Sequence, residues 1–460
     1  AIRELLGLEI DAADYLQPDT KSNSFDNIVD VQLMSPTLLD SYLRAASQIS
    51  RAAIGDADAT ASQTTYLVHE EASQGERVPG APIGTRGGLS VIHNFPADGR
   101  YTFQIGGFPS RGGAMHARDR PEQVEFSIDG ERVAVVDFDW YLDMGAGGTR
   151  GTESMRTEPV FIRGGQHRMS AAFIASYEGT TPDVVKPDEM TLNAVLGRYG
   201  TQVLAHLRDV IIVGPFNPTG VSENPVRQRI FTCRPTVPSE VTPCARSILT
   251  DLATRAFRRP VRPEEIEALM SLYEQGAEEG GFEVGIRNGL ELILASPHFV
   301  FRFERSADPG RVDRAYPIGD FDLASRLSFF LWGSPPDEEL LSLARQGRLS
   351  DRLEAQTRRM LADPRSEALA TRFAAQWLRL ADVAGVVPTM YLYPDYHAQL
   401  GEAMQRETEL FFYSLVREDR SLFDLFGADY TYVNERLAKH YGIPGVVGSR
   451  FRRVELADDR

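Results

Sequence analysis

No stretch of 18 or more apolar residues occurs anywhere in the 460-residue chain, so none of its helices is long and apolar enough to span a bilayer. Basic residues are the minority: 49 Lys and Arg against 65 Asp and Glu leave a net charge of −16. That balance argues against sequence-independent nucleic-acid binding, which needs a cationic surface to displace counterions, and against docking on an anionic membrane. The common strong signatures are missing too. There is no Walker loop, no Gly-x-Gly-x-x-Gly after a strand, no Gly-x-Ser-x-Gly and no His-Glu-x-x-His. Cys-x-x-Cys-His is absent, so no covalent c-type haem attaches within these residues. The eight histidines are scattered without ligand spacing.

Cysteine is nearly absent: Cys233 and Cys244 are the two present, and they lie close together in a Pro-rich segment. Two thiols are too few for a structural zinc site, and their spacing is not that of a redox pair. The leading reading is a disulfide that pins a linker, worth on the order of 3 kcal/mol by loop entropy. It implies an oxidising compartment, periplasmic or extracellular. The alternative is a pair of free cytosolic thiols. The N-terminal run Ala1-Ile2-Arg3-Glu4-Leu5-Leu6-Gly7-Leu8 reads as the inside of a helix with no signal-peptide pattern, and the chain stops in a charged stretch. A piece of a longer polypeptide is therefore expected.

The residues that are present divide by period. The first 55 or so read as helix, with Leu39, Leu43, Ala46 and Ala53 near helical spacing. From about Gln63 the period becomes two. Tyr101, Phe103 and Ile105 alternate with polar residues, as do Val124, Phe126 and Ile128. Asp129-Gly130 then predicts a hairpin into Val133, Val135 and Phe138, because both turn residues must reach positive φ. Val160 and Ile162, through Gly164-Gly165 to His167, Met169, Ala171 and Phe173, read as a second hairpin. Val210–Val213 is a plausible closing strand, and Thr191–His206 is open between helix and excursion. Short strands with Gly-rich turns mean an antiparallel β-sandwich, jelly-roll-like. Gly214 to Pro243 reads as linker. The chain beyond it reads as helix: Gly285–Ser296, Asp322–Trp332, Asp337–Arg345, Asp351–Leu361, Pro364–Leu380, Tyr396–Val416 and Thr431–Tyr441. The fold class is α+β multidomain, a mainly helical body with the sandwich inserted. The expected divisions are 1–62 helical, 63–216 sandwich, 217–245 stapled linker, 246–306 and 307–446 helical, and 447–460 the start of a further module.

Candidate chemistry comes from polar residues on apolar faces. On the 396–416 helix, Leu400, Met404, Phe411 and Leu415 fall within about 60° on the wheel and Glu407 falls among them, while Glu402, Arg406 and Glu409 point away. A buried carboxylate needs a partner or a proton. Arg326, at the edge of the Leu323, Leu327 and Phe330 stripe, is the economical partner, making either a structural ion pair or a general acid–base site. His440 shares a helical face with Val433 and Leu437, as a core histidine or as an axial ligand to a cofactor held elsewhere. His298 opens an extended apolar segment. In the sandwich, Asp137, Asp139 and Asp143 surround Trp140 and Tyr141, either as a solvated strand end or as a calcium site beside a sugar-stacking platform. A carboxylate pair for glycoside hydrolysis lacks a clear second member.

Several stretches are familiar together. Phe25-Asp26-Asn27 with Ser35-Pro36 and the Tyr42 helix is one; Gly84–Val91 with Phe95–Gly99 is another. Ala256-Phe257-Arg258-Arg259-Pro260-Val261 with Ala295–Phe299 makes a third. Ala324–Trp332, Arg406–Phe412 and Asp429–Leu437 make a fourth. Together they resemble the large planctomycete-type cytochrome c proteins built from planctomycete-specific domains. The resemblance implies a c-type cytochrome domain or subunit as partner, with haem c in other segments and none covalently bound here. It also implies a sandwich similar to carbohydrate-binding modules, some of them calcium-dependent, with a glycan as its partner. The expected function is the non-haem portion of an extracytoplasmic cytochrome-c-linked oxidoreductase or electron-transfer protein. The alternative is a non-enzymatic surface or assembly protein. No catalytic residue carries over, and whether the chain is an enzyme stays open.

Overall fold

A computed structural model describes residues 1–18, 22, 25–26, 35–69, 72–107, 122–138, 155–175, 205–304, 317–386, 388, 392–393 and 396–456. The chain starts with a short helix α1 (Ile2–Leu6) and a long one, α2 (Pro36–Ile54), whose first turn is capped by Ser35 with Pro36 just inside it. Its buried face is Ala45, Ala46, Ile49, Ala53 and Ile54. Leu39 and Leu43, expected on that face, are about half exposed.

The period-two region is a sandwich of two four-stranded antiparallel sheets. The strands are β1 (Ser62–Leu67), β2 (Thr85–Phe95), β3 (Asp98–Gly107), β4 (Glu122–Ile128), β5 (Glu131–Phe138), β6 (Val160–Ile162), β7 (Gly165–Ile174) and β8 (Leu207–Gly220). One sheet runs β1-β8-β3-β6 and the other β2-β7-β4-β5. Their inner faces meet through large rings: Phe103 stacks on Phe126 at 5.3 Å, and Phe95 meets Tyr101 edge-on at 4.8 Å. The Asp129-Gly130 hairpin forms with both residues at positive φ, and Ile128 faces Glu131. The second expected hairpin does not form. β6 pairs with β3 and β7 pairs with β2 and β4, so Gly164-Gly165 carries the chain from one sheet to the other. Gly164 packs closely there: a Cβ would come within about 3.1 Å of the Ala97 backbone. Val210–Val213 lies in β8, the last strand of the sandwich in chain order, which sits between β1 and β3 in its sheet.

The stretch read as an irregular linker is more ordered than its Pro and Gly content suggests. β8 continues to Gly220, α3 (Pro225–Ile230) comes next under an Asn224 cap, and α4 (Pro238–Phe257) opens with Pro238 and tolerates Pro243 in its first turns. Cys233 and Cys244 are joined by a disulfide that ties the approach of α4 to its body. α5 (Pro263–Gly280) and α6 (Phe282–Ala295) complete the bundle. Leu5, Leu6, Ala46, Ile49 and Ala53 lie in one hydrophobic core with Ile230, Ile248, Leu249, Leu252, Ile286 and Leu290. Helices before and after the sandwich therefore form a single body, and the sandwich is set into it.

The next turn, α7 (Pro297–Val300), is a helix where an extended segment was expected. Beyond it come α8 (Asp320–Trp332), α9 (Glu338–Arg345) and α10 (Leu353–Ala362). Pro364–Leu380 is not one helix: a 3-10 turn at Pro364–Glu367 leads into a π-helical segment at Leu369–Ala374 and an α turn at Ala375–Trp377. Then come α11 (Ala398–Arg417) and a two-stranded sheet of β9 (Tyr430–Val433) and β10 (Arg452–Glu455) on either side of α12 (Glu435–Tyr441). Thr431–Val433 is thus strand, where helix was expected; its Thr-Tyr-Val content suits a pleated surface better. No described helix is long and apolar enough to cross a membrane.

Candidate functional site

α11 has two buried flanks. Leu400 and Ala403 pack with Val433, Leu437 and Ala438, while Phe412 packs with Ala370 and Ala374. A helix gripped on two sides does not follow a single-stripe wheel. Glu409, expected to face water, is 7% exposed and accepts from Gln405 (3.0 Å) and Arg406 (3.1 Å), with Arg406 also bound to Glu367. The ion pair at a buried carboxylate on α11 is thus Glu409 with the part-exposed Arg406.

Glu407 lies half-buried on the wall of a cleft of about 420 Å³ between α11, the β9–β10 sheet and the end of α12. Its polar neighbours are Thr408, Thr431 and Tyr441, and its apolar walls are Phe411, Tyr430, Ile443 and Leu456. The Thr431 hydroxyl donates to Glu407 Oε1, and the Tyr441 hydroxyl donates to Oε2 at 2.7 Å. Burial first, then the hydrogen bond to Glu407 and its charge, push the Tyr441 phenol well above the usual tyrosine range. Tyr430, 1% exposed, forms the floor: Phe411 lies 5.2 Å away, and the guanidinium of Arg453 sits 3.7 Å over its ring.

The expected Arg326–Glu407 pair does not exist. Arg326 is 64% exposed in its side chain and meets Glu304 at 3.3 Å. Its guanidinium stays in water, and Glu407 is satisfied by hydroxyls. His440 is likewise not a core residue: it is exposed, with its ring 5.4 Å from that of Tyr441. The shared face with Val433 required a helix through both, and Val433 is in β9. His298 is half-buried near Glu265, its Nε2 3.4 Å away and its ring 5.6 Å from that of Phe257. Asp137 is exposed at the end of β5 and accepts from the Gln123 amide at 2.9 Å. Asp139, Trp140, Tyr141 and Asp143 lie outside the described residues. Among the described residues no group of three or more His, Cys, Asp or Glu is placed to hold a metal. The disulfide uses both cysteines.

Sequence reasoning missed Thr431 and Tyr441, whose partner it had singled out, and Arg258. Arg258 ends α4 in the left-handed region (φ 59°) and is 6% exposed. It donates to the carbonyls of Ala256, His298 and Phe301 at 2.8–2.9 Å and of Phe299 at 3.4 Å. The Phe-Arg-Arg-Pro run was the signal: Arg258 gathers the carbonyls of α7, while Arg259 makes a two-pronged bond to Glu265 at the start of α5.

Three stretches match family models, each described as a protein of unknown function. Residues 1–55 match PSD3 (DUF1587), 244–304 match PSD5 (DUF1595) and 318–443 match PSD4 (DUF1592). These three domains are planctomycete cytochrome c-associated domains. No curated protein and no solved structure matches it. The matches coincide with the helical parts, and the sandwich strands from Ser62 to Gly220 lie between the first and second of them. All the cleft residues fall within the PSD4 match except Leu456, the residue after β10. Domains of this cytochrome c family mark the chain as related to electron transfer, and its disulfide fits a compartment outside the cytoplasm.

Proposed function

We propose that the chain is the non-haem portion of a periplasmic or extracellular oxidoreductase or electron-transfer assembly, in which a c-type cytochrome domain or subunit carries the haem. The observation that supports this most directly is the succession of three planctomycete cytochrome c-associated domains along the chain. Both cysteines are committed to a disulfide, so the haem belongs to that partner. The helical body serves as its platform. The sandwich, held as an insertion on that platform, is proposed to bind a glycan through Trp140 and Tyr141, with calcium held by Asp137, Asp139 and Asp143.

The test is a pyridine haemochrome spectrum on the protein purified with its partners from its native source. A c-type spectrum co-purifying with this chain is the expected result, and haem-free native material refutes the proposal. For the sandwich, retention on immobilised polysaccharides with and without a calcium chelator is the matching experiment. Retention that Trp140→Ala with Tyr141→Ala leaves unchanged removes the glycan assignment.

A further inference from the structure

The Glu407 cleft has an unusual donor and acceptor balance. Each hydroxyl on it already donates its hydrogen bond within the protein. Thr431 and Tyr441 donate to Glu407, and Thr408 donates to the Met404 carbonyl. Tyr430 faces Ser414, whose own proton goes to the Phe411 carbonyl, so the phenol of Tyr430 is the donor of that pair. The backbone N–H groups of Ile443 and Leu456 are used by the carbonyls of Ala438 and Asp429. These groups leave acceptor capacity facing the cleft: the second lone pairs of both Glu407 oxygens and of the hydroxyls.

The charge balance points the same way. Among the described residues no basic group forms an ion pair with Glu407. The two guanidiniums that lie over the Tyr430 ring are engaged elsewhere: Arg453 with Glu418 (3.4 Å) and Glu455 (3.2 Å), and Arg420 with Asp424 (2.8 Å). A half-buried carboxylate held in place by two neutral donors and walled by Phe411, Ile443 and Leu456 lacks only a countercharge.

We infer that this cleft binds an organic cation, a primary ammonium on a short apolar stem, with the ammonium donating to Glu407 and the stem lying along Phe411, Ile443 and Leu456. An anion is repelled, and a neutral acceptor finds no donor. The same chemistry is offered by a free alkylamine and by a lysine side chain of a protein partner. This inference does not depend on the haem proposal.

The test is calorimetric titration of the full chain with n-butylammonium, n-butanol and butyrate at low ionic strength. Butylammonium is expected to saturate at a concentration at least tenfold below butanol, with butyrate showing no binding. Raising the salt concentration should weaken the ammonium alone, since screening acts on charge and not on stem burial. Glu407→Gln should erase the tenfold preference, while Arg326→Ala, which removes an exposed guanidinium paired with Glu304 outside the cleft, should retain it. Equal binding of butanol or butyrate overturns the inference, and so does a folded Glu407→Gln protein that still prefers the ammonium. If Glu407→Gln fails to fold, the comparison of three probes on the unaltered chain decides alone. A parallel titration with Nα-acetyl-lysine amide separates the sources: tighter binding than butylammonium assigns the site to a partner's lysine, and weaker binding assigns it to a free amine.

Discussion

Replacing Arg258 by Met keeps the aliphatic stem and removes the guanidinium that gathers the end of α7. In the native chain that group makes three hydrogen bonds of 2.8–2.9 Å and a longer one of 3.4 Å, all to backbone carbonyls. No carboxylate forms an ion pair with it among the described residues. Burial, with help from Arg302 and Arg259, lowers its pKa to about 10, so it stays charged at neutral pH. Each carbonyl stripped of its partner and kept from water costs about 1–3 kcal/mol. The relief of a desolvated cation offsets part of the sum, leaving an expected loss of about 3–5 kcal/mol. Urea unfolding followed by far-UV circular dichroism gives the total, and amide exchange at residues 297–301 gives the local effect. The exchange protection of that turn should collapse before the rest of the bundle. Arg258→Lys should fall between, because an ammonium lacks the fork that reaches several carbonyls at once. A loss under about 1 kcal/mol in Arg258→Met, with unchanged exchange at 297–301, refutes the assignment.

The Cys233–Cys244 bridge closes a span of 11 residues, so Cys233→Ser with Cys244→Ser should lower stability by about 3 kcal/mol, read as a shift in the urea midpoint at unchanged slope. Arg326→Ala should change stability by less than about 0.5 kcal/mol, because the Arg326–Glu304 pair is solvent-exposed; a large loss would restore a buried role for Arg326. Acid should remove stability stepwise. Hydrogen bonds from Arg259, then Arg262, hold the Glu265 carboxyl well below its usual range, and Arg365 lowers that of Asp363 to about 2. Both are depressed in the folded state, so their contribution is full above about pH 5 and fades as pH falls towards 2. Glu265→Gln should flatten that part of the stability–pH profile; an unchanged profile removes Glu265 from the account.

The residues most legible in the sequence were those whose local chemistry already decided the outcome. Asp129-Gly130 specified its turn because few other pairs reach positive φ twice, and the alternation of Val124, Phe126 and Ile128 specified a buried face. The two cysteines, with nothing else to bond, specified each other. Gly164-Gly165 carried the same local signal as Asp129-Gly130 and yet joins two sheets. A glycine pair permits a sharp turn but does not say which strand receives the hydrogen bonds on the far side. Wheel reasoning failed where helices were short or held on two sides. His440 was assigned a face from Val433, which is strand, and Glu409 was read as exposed although a second neighbour covers it. Glu407 stood out in the sequence as a carboxylate in difficulty. Its partners did not, because a cation is the usual answer to such a carboxylate, and here two hydroxyls from elements 24 and 34 residues away met the need.

An insertion the size of the sandwich is tolerable only if its two ends return to nearly the same place, and particular contacts make that happen. α2 ends at Ile54, whose carbonyl accepts from Arg227 of α3; Arg227, 3% exposed, also meets Glu283 of α6 at 2.6 Å. The chain leaving the first helical segment and the chain entering the second are thus bonded through one buried side chain. Asp98 fastens the same region from the sandwich side. It accepts from the Gly164 and Ser222 amides at 2.6 and 3.0 Å and from the Ser222 hydroxyl at 2.6 Å, joining β3, the sheet-to-sheet crossing and the exit from β8. The segment before the sandwich cannot bury Leu5, Ala46 and Ile49 without the helices that come after it, since they share one core. The body must therefore close around the insertion, and Arg227 and Asp98 make the bonds across the place where it closes. Asp98→Ala, which leaves those two amides and a hydroxyl without their acceptor, should loosen the sandwich against the body, with new protease cuts at residues 55–61 and 220–224. The α4–α6 bundle, with its own contacts intact, should stay resistant; cleavage spread evenly over both parts would show that the clasp holds no boundary.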